Sequence, residues 1–230
     1  METFLQISGE LLNGFSVSVM LFIFTLVFSL PLGLIICFLT TSKFTPVRAF
    51  SKIVVWILRG TPLMLQIFAI FYLPGLLKWF TWPQMNTGWK WFDSTFSTRF
   101  IAALVAFSIN YAAYFSEIYR GGIQSIPYGQ YEAGKVLGLN QSQVFFKVVF
   151  MQVIKRILPP MSNEIVTLIK DTALATSIGI VELIFSAKEF MVVDGLIWPL
   201  FYAGAFYLIF VGIITVLFNF IEKKLSYYKV

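Results

Sequence analysis

The sequence predicts an all-α integral membrane protein, and two observations carry that prediction. Only 12% of its 230 residues are charged, about half the share usual in soluble proteins, and the mean hydropathy is +0.82. The uncharged stretches are also long. Neither Leu11 to Ser42 nor Gly195 to Ile221 contains a charge, and each exceeds the ~20 apolar residues that cross a bilayer as a helix.

The spans follow in order. Residues 14–40 form the first, and Cys37 falls inside it. This segment lacks the basic start and small-residue cleavage site of a signal peptide, so it is expected to be retained. The second and third spans are expected at 53–77 and 99–119, and the last at 197–221. Residues 157–180 make a fourth span whose charges hide it from hydropathy. One domain, 1–230, holds them all.

The distribution of basic residues supports five spans. With the N-terminus outside, the inner segments hold Lys43, Arg48, Lys52, Arg120, Lys135, Lys147, Lys155, Arg156, Lys223, Lys224 and Lys229. The outer segments hold Lys78, Lys90, Arg99 and Lys188. This is the asymmetry expected of cytoplasmic loops, and a four-span chain would move the basic C-terminal tail outside. Topology also accounts for the net charge of +6, so no nucleic-acid partner is inferred. Trp79, Trp82, Trp89 and Trp91 lie in the outer loop. Tryptophan there suits lipid headgroups or an external protein partner.

Several chemistries are excluded. A single cysteine leaves no internal disulfide and no cysteine-based metal site. The absence of histidine removes histidine-dependent catalysis and most zinc chemistry. There is no GxxxxGK[ST] phosphate loop, so no cofactor is expected on this chain and ATP, where used, is used by a partner.

The stretch "NEIVTLIKDTALATSIGI" (163–180) places Glu164, Lys170 and Asp171 in an apolar run. At ~100° per residue, Asn163, Glu164, Thr167, Lys170, Asp171 and Ser177 fall within an arc of roughly 140°. Ionisable groups facing lipid cost at least ~2.5–3.5 kcal/mol each near a helix centre, so this stripe is expected to face the protein interior. One reading is pairing with other helices, with Lys170 neutralising Asp171; the other is the lining of a solute path. On the third span, Ala103, Ala106, Ala113, Tyr114 and Glu117 cluster around Asn110. Alanines suit close helix packing, whereas Asn110, Tyr114 and Glu117 add a polar surface opposite the stripe. Arg59-Gly60-Thr61-Pro62 lies near the inner end of the second span, where Pro62 is expected to kink or break the helix. That break is either a hinge or a static bend, and Arg59 is free to snorkel to the cytoplasmic surface.

Residues 120–156 are too long for a simple turn. Pro127 is expected to open a short helix and Gly138 to close it in the left-handed conformation. Ser142 is expected to cap a second helix, Gln143 to about Ile154. Glu132-Ala133-Gly134 followed by Gly138 resembles the "EAA…G" loop of ABC importer permeases, with Gly134 at that motif's second alanine. Val148 matches its later apolar position, and Met151 stands where the family usually has proline, which implies a straighter helix there. The segments "LRGTPLMLQIF" (58–68), "INYAAYFSEIYRGGIQSIPYGQYEAGKVLGL" (109–139) and "LPPMSNEIVTLIKDTALATSIG" (158–179) are similar to the polar amino-acid subfamily, the histidine/glutamine/arginine type, over nearly the whole chain.

That resemblance implies the type I importer fold and residence in a prokaryotic inner membrane. Implied partners are a second permease (identical or related), a cytoplasmic ATPase dimer, an external solute-binding protein and an amino-acid substrate. Glu132, Ala133, Gly134 and Gly138 would couple to the ATPase. Asn110, Tyr114, Glu117, Asn163, Glu164, Thr167, Lys170 and Asp171 would lie at the substrate, and Arg59, Gly60 and Pro62 at a hinge. An ATP-independent channel is the competing function, with the stripes as pore lining. A membrane enzyme using Glu164 and Asp171 as a carboxylate pair lacks a supporting nucleophile or metal motif.

Overall fold

In a bilayer every backbone polar group must be satisfied within the chain, which leaves helices and closed barrels as the spanning elements. The computed structural model describes residues 2–83 and 97–225, and among them there is no strand. Trp89, Trp91, Lys90 and Lys229 lie outside the described residues. The helices are α1 (Glu2–Thr40), α2 (Thr45–Gly60), α3 (Leu63–Leu76), α4 (Thr98–Gln124), α5 (Tyr128–Val136), α6 (Gln141–Val144), α7 (Phe150–Asp171), α8 (Leu183–Asp194) and α9 (Trp198–Leu225). A π-helical stretch, Phe145–Val149, joins α6 to α7, and a 3₁₀ stretch, Thr172–Ile178, extends α7.

Of the described helices, three are long and apolar enough to cross a membrane: α1, α4 and α9. A fourth is obtained if α2 and α3 count as one broken span. The expected fourth span, 157–180, is helical but too charged to qualify by composition. Length and composition therefore reach four of the five expected spans.

The core is built on α1 and α4, whose contact is the most extensive in the chain. Small residues make it possible. Thr25 and Ser29 of α1 and Ala103, Ala106, Ala112 and Ala113 of α4 are fully buried. A Cβ on Gly33 would stand 2.9 Å from Phe115 Cβ and 3.0 Å from the Ala112 carbonyl oxygen, so the two backbones approach as closely as glycine permits. By contrast Phe201, Leu208, Ile209, Ile213, Val216 and Phe220 of α9 are exposed, the pattern of a face turned to lipid.

Four expectations about local structure need correction. The second span, 53–77, starts earlier, with α2 beginning at Thr45, and it is broken at Pro62, which has no N–H to continue the ladder, so that α3 leaves α2 at 107°. The third span runs on to Gln124 rather than 119. The second loop helix is capped by Asn140, not Ser142. The Asn140 side chain accepts from the Gln143 backbone N–H, and the Gln143 side chain accepts from the Asn140 N–H. This reciprocal capping box satisfies two orphan donors at once. Finally, the loop does not end at 156, since α7 passes through Pro159 and Pro160 into the charged segment.

Candidate functional site

A cavity of about 550 Å³ opens where α4 and α7 meet the break between α2 and α3. Its walls include Arg59, Gly60, Thr61 and Pro62 from the break. They also include Asn110, Tyr111 and Tyr114 from α4, and Glu164, Thr167 and Asp171 from α7. Three of the six stripe residues on the helix wheel reach the cavity. Glu164, Thr167 and Asp171 are spaced at i, i+3 and i+7, so they share one face of α7. Beyond Asp171 the tighter 3₁₀ stretch turns ~120° per residue, and Ser177, expected on the same stripe, is absent from the lining.

The cavity's ionisable groups are held unequally. Tyr111 is buried, and its hydroxyl donates to Asp171 Oδ2 at 2.7 Å. The guanidinium of Arg59 lies 5.2 Å from the centre of the Tyr114 ring, within cation–π range, and 3.6 Å from Glu117 Oε2. It thus lies along the cavity wall between Tyr114 and Glu117. Glu117 is bound more closely to Arg120, at 2.5 Å. Glu164 differs: among the described residues it is the one ionisable group of the cavity with neither an ion pair nor a hydrogen bond to protein.

Three residues expected at this site do not line it. Lys170 and Asn163 are exposed on α7. No ion pair joins Lys170 to Asp171 among the described residues, and Lys170 stands outside the cavity wall. Glu117 is taken up by its two arginines. Conversely, Tyr111 was missed because it sits ~100° around α4 from Asn110, outside the arc that looked polar. Arg59, Gly60 and Pro62, read as a hinge, are themselves cavity wall.

The break is closed by side chains. A helix end leaves its last four carbonyls without intrahelical donors, here those of residues 57–60. Thr61 Oγ1 donates to the Ile57 oxygen at 2.9 Å. Gln66 Nε2 and Asn110 Nδ2 donate to the Leu58 oxygen at 2.7 and 3.1 Å. The Tyr114 hydroxyl donates to the Arg59 oxygen at 3.3 Å.

The loop residues stand apart from this cavity. On α5, Glu132 and Ala133 are exposed, and Gly134 is buried against Val144. Gly138 takes φ +74°, and the Leu139 N–H reaches back to the Gly134 oxygen at 3.0 Å. This is the helix stop that the glycine implied.

A bundle of apolar helices with a polar cavity at a broken span, and a separate capped helix carrying the loop motif, is the architecture of a membrane transport subunit. The chain belongs to the family described as "Binding-protein-dependent transport system inner membrane component", which it matches over residues 29–227. It is 34% identical to the L-cystine transport system permease protein TcyB of Bacillus subtilis, over 94% of this chain and 86% of that protein. It is 31% identical to the arginine ABC transporter permease protein ArtM of Haemophilus influenzae, over 96% and 94%. A solved amino acid ABC transporter with histidines superposes with a TM-score of 0.80 at 26% identity, covering 96% of this chain and 97% of that one.

Proposed function

We propose that this chain is the permease subunit of an ATP-driven importer that carries a polar amino acid across the cytoplasmic membrane. The observation that carries the reading is the cavity, with two carboxylates and one guanidinium set in an otherwise apolar helical protein. A zwitterionic amino acid needs an anion for its ammonium and donors for its carboxylate. Glu164, with no protein partner, is the group left for the ammonium, and Arg59 lies across the cavity for the carboxylate. Because Arg59 is already shared with Glu117, the lining favours neutral or cationic amino acids over acidic ones. The printed names of the relatives, which include cystine and arginine permeases, support the amino-acid class.

The residues of α5 would couple this cavity to a cytoplasmic ATPase. Tyr128, Val136 and Leu137 are 68%, 88% and 76% exposed, a run of free apolar side chains on and beside a short helix that suits burial in a partner's groove. Glu132 and Ala133 share this free surface. The full assembly would add a second permease, identical or related, and an external solute-binding protein. Five spans would place the N-terminus outside and the C-terminus in the cytoplasm.

The test is reconstitution in liposomes. Together with its ATPase and binding protein, the chain is expected to accumulate a labelled amino acid only when ATP is present. Flux at the same rate through this chain without any ATPase overturns the importer reading in favour of a channel.

A further inference from the structure

The geometry points to Gln66 as a positioning residue that, acting with Asn110, holds residues 58–62 of the broken span as a fixed wall of the cavity. This rests on the transport reading above. Neither amide needs to touch the solute for this role.

Pro62 is the origin of the requirement. In an unbroken helix the Leu58 carbonyl would accept from the N–H of residue 62, and proline has none. Inside a membrane no bulk water replaces that donor. Two side chains supply it, one from beyond the break and one from a neighbouring helix. Gln66 lies in the second turn of α3 and donates to Leu58 across the bend; Asn110 donates from α4.

The two amides are also joined to each other. Asn110 Nδ2 donates to Gln66 Oε1 at 3.0 Å, and Gln66 Nε2 reaches Thr61 Oγ1 at 2.8 Å and the Thr61 oxygen at 3.2 Å. The result is a chain of donors running Asn110, Gln66, Thr61, Ile57. It ties the end of α2, the start of α3 and the middle of α4 together at the cavity's edge. Asn110 is 4% exposed, and both hydrogens of its amide are taken. It therefore has no donor to offer a solute carboxylate, and its place in the lining is explained by the backbone it holds.

The same solution occurs one proline further on. Pro74 leaves the Ile70 carbonyl without its helical donor, and the Trp82 indole N–H donates to that oxygen at 3.1 Å. A carbonyl orphaned by proline thus receives a side-chain donor at both places in this broken span.

The test uses the assembled transporter with Cys37→Ser and Gly60→Cys, so that residue 60 carries this chain's only thiol, and labelling is read on this chain alone after the subunits are separated. Nothing lies within 4 Å of a Cβ there. The rate at which a water-soluble maleimide labels that thiol reports the mobility of the wall and needs neither ATP nor solute. Gln66→Met keeps the length and removes the amide. Gln66→Glu keeps an acceptor and removes the donor. Both are expected to change the labelling rate about fivefold or more, as the loss of one donor to a part-buried carbonyl and of the bonds to Thr61 implies. Both are also expected to depress solute-stimulated ATP turnover at unchanged assembly yield. Adding Asn110→Ala is expected to change labelling by more than the product of the two single effects, because each amide alone still supplies the Leu58 carbonyl and only the double variant leaves it without a donor. Labelling and turnover equal to wild type in both Gln66 variants overturns the inference, as does a double variant whose effects multiply. Should neither Gln66 variant assemble, Asn110→Asp reads the same network by removing both of that residue's donor hydrogens. If instead the unmodified transporter shows no ATP-dependent uptake, the transport reading fails while the labelling comparison still decides the role of Gln66.

Discussion

Gly134 offers the sharpest test of how the loop is built, because the related motif carries alanine there. A Cβ added at Gly134 would stand 2.4 Å from Val144 Cγ2 and 3.0 Å from Cγ1. Val144 is buried at 2% exposure and cannot simply swing into open space. Overpacking of this kind costs about 1–3 kcal/mol, or roughly a five- to hundredfold shift in an equilibrium. The strain falls on the seat of α5 against α6, the element proposed to meet the ATPase. Gly134→Ala is therefore expected to lower solute-stimulated ATP hydrolysis in the purified transporter while leaving the cavity, which α5 does not line, unaltered. Val144→Ala in the same chain removes the two methyl groups that clash. It is expected to recover most of the lost coupling despite the about 2 kcal/mol that deleting two buried methyl groups costs. If Gly134→Ala couples normally, or if Val144→Ala does not restore it, the packing described between α5 and α6 is not what positions the loop.

Three further outcomes follow from the cavity and its surroundings. Glu164→Gln and Asp171→Asn are each expected to cut ATP-driven uptake about tenfold or more, since a charged hydrogen bond contributes ~1.5–3 kcal/mol, whereas Lys170→Gln, exposed and outside the cavity, is expected to change it less than about twofold. Tyr111→Phe removes the donor to Asp171 and is expected to weaken solute-stimulated turnover in the same assay, by less than Asp171→Asn does. Gly179 takes φ +74°, and a Cβ there would lie 2.9 Å from the Arg99 guanidinium, which donates to its carbonyl. Gly179→Ala is expected to cost about 1–2 kcal/mol of backbone strain, read as a lower midpoint in thermal unfolding of the detergent-solubilised protein.

What was legible in the sequence was local. Pro127 and Gly138 bracket α5 because their backbone preferences act on their own residues. The acidic stripe of α7 was legible because a single helix fixes the relative angles of Glu164, Thr167 and Asp171. The rest depended on distance along the chain. Gln66 meets Asn110 across 44 residues, and Tyr111 meets Asp171 across 60. Pro62 marks where the second span breaks, but the 107° bend that swings Arg59 into the cavity is set by tertiary packing. One signal was present and went unread. Counting four residues back from Pro62 and Pro74, the two prolines of the broken span, names Leu58 and Ile70 as carbonyls in need of a donor, and a donor in a neighbouring segment was then to be sought.

That count also changes what a polar residue inside the membrane means. A polar stripe on a helix wheel treats every member as available to a solute. In this fold many are already committed to backbone left unpaired by proline or by a helix end: Asn110 and Gln66 to Leu58, Thr61 to Ile57, Tyr114 to Arg59, Trp82 to Ile70. Glu117 is committed to arginines, and Asp171 already accepts from Tyr111. Subtracting these commitments leaves Glu164 as the one cavity group, among the described residues, whose full capacity remains. Selectivity at this site should therefore respond more strongly to substitution of Glu164 than of Asn110, although the two look alike on their wheels. The effect of Asn110 should appear instead in the shape of the wall that it holds.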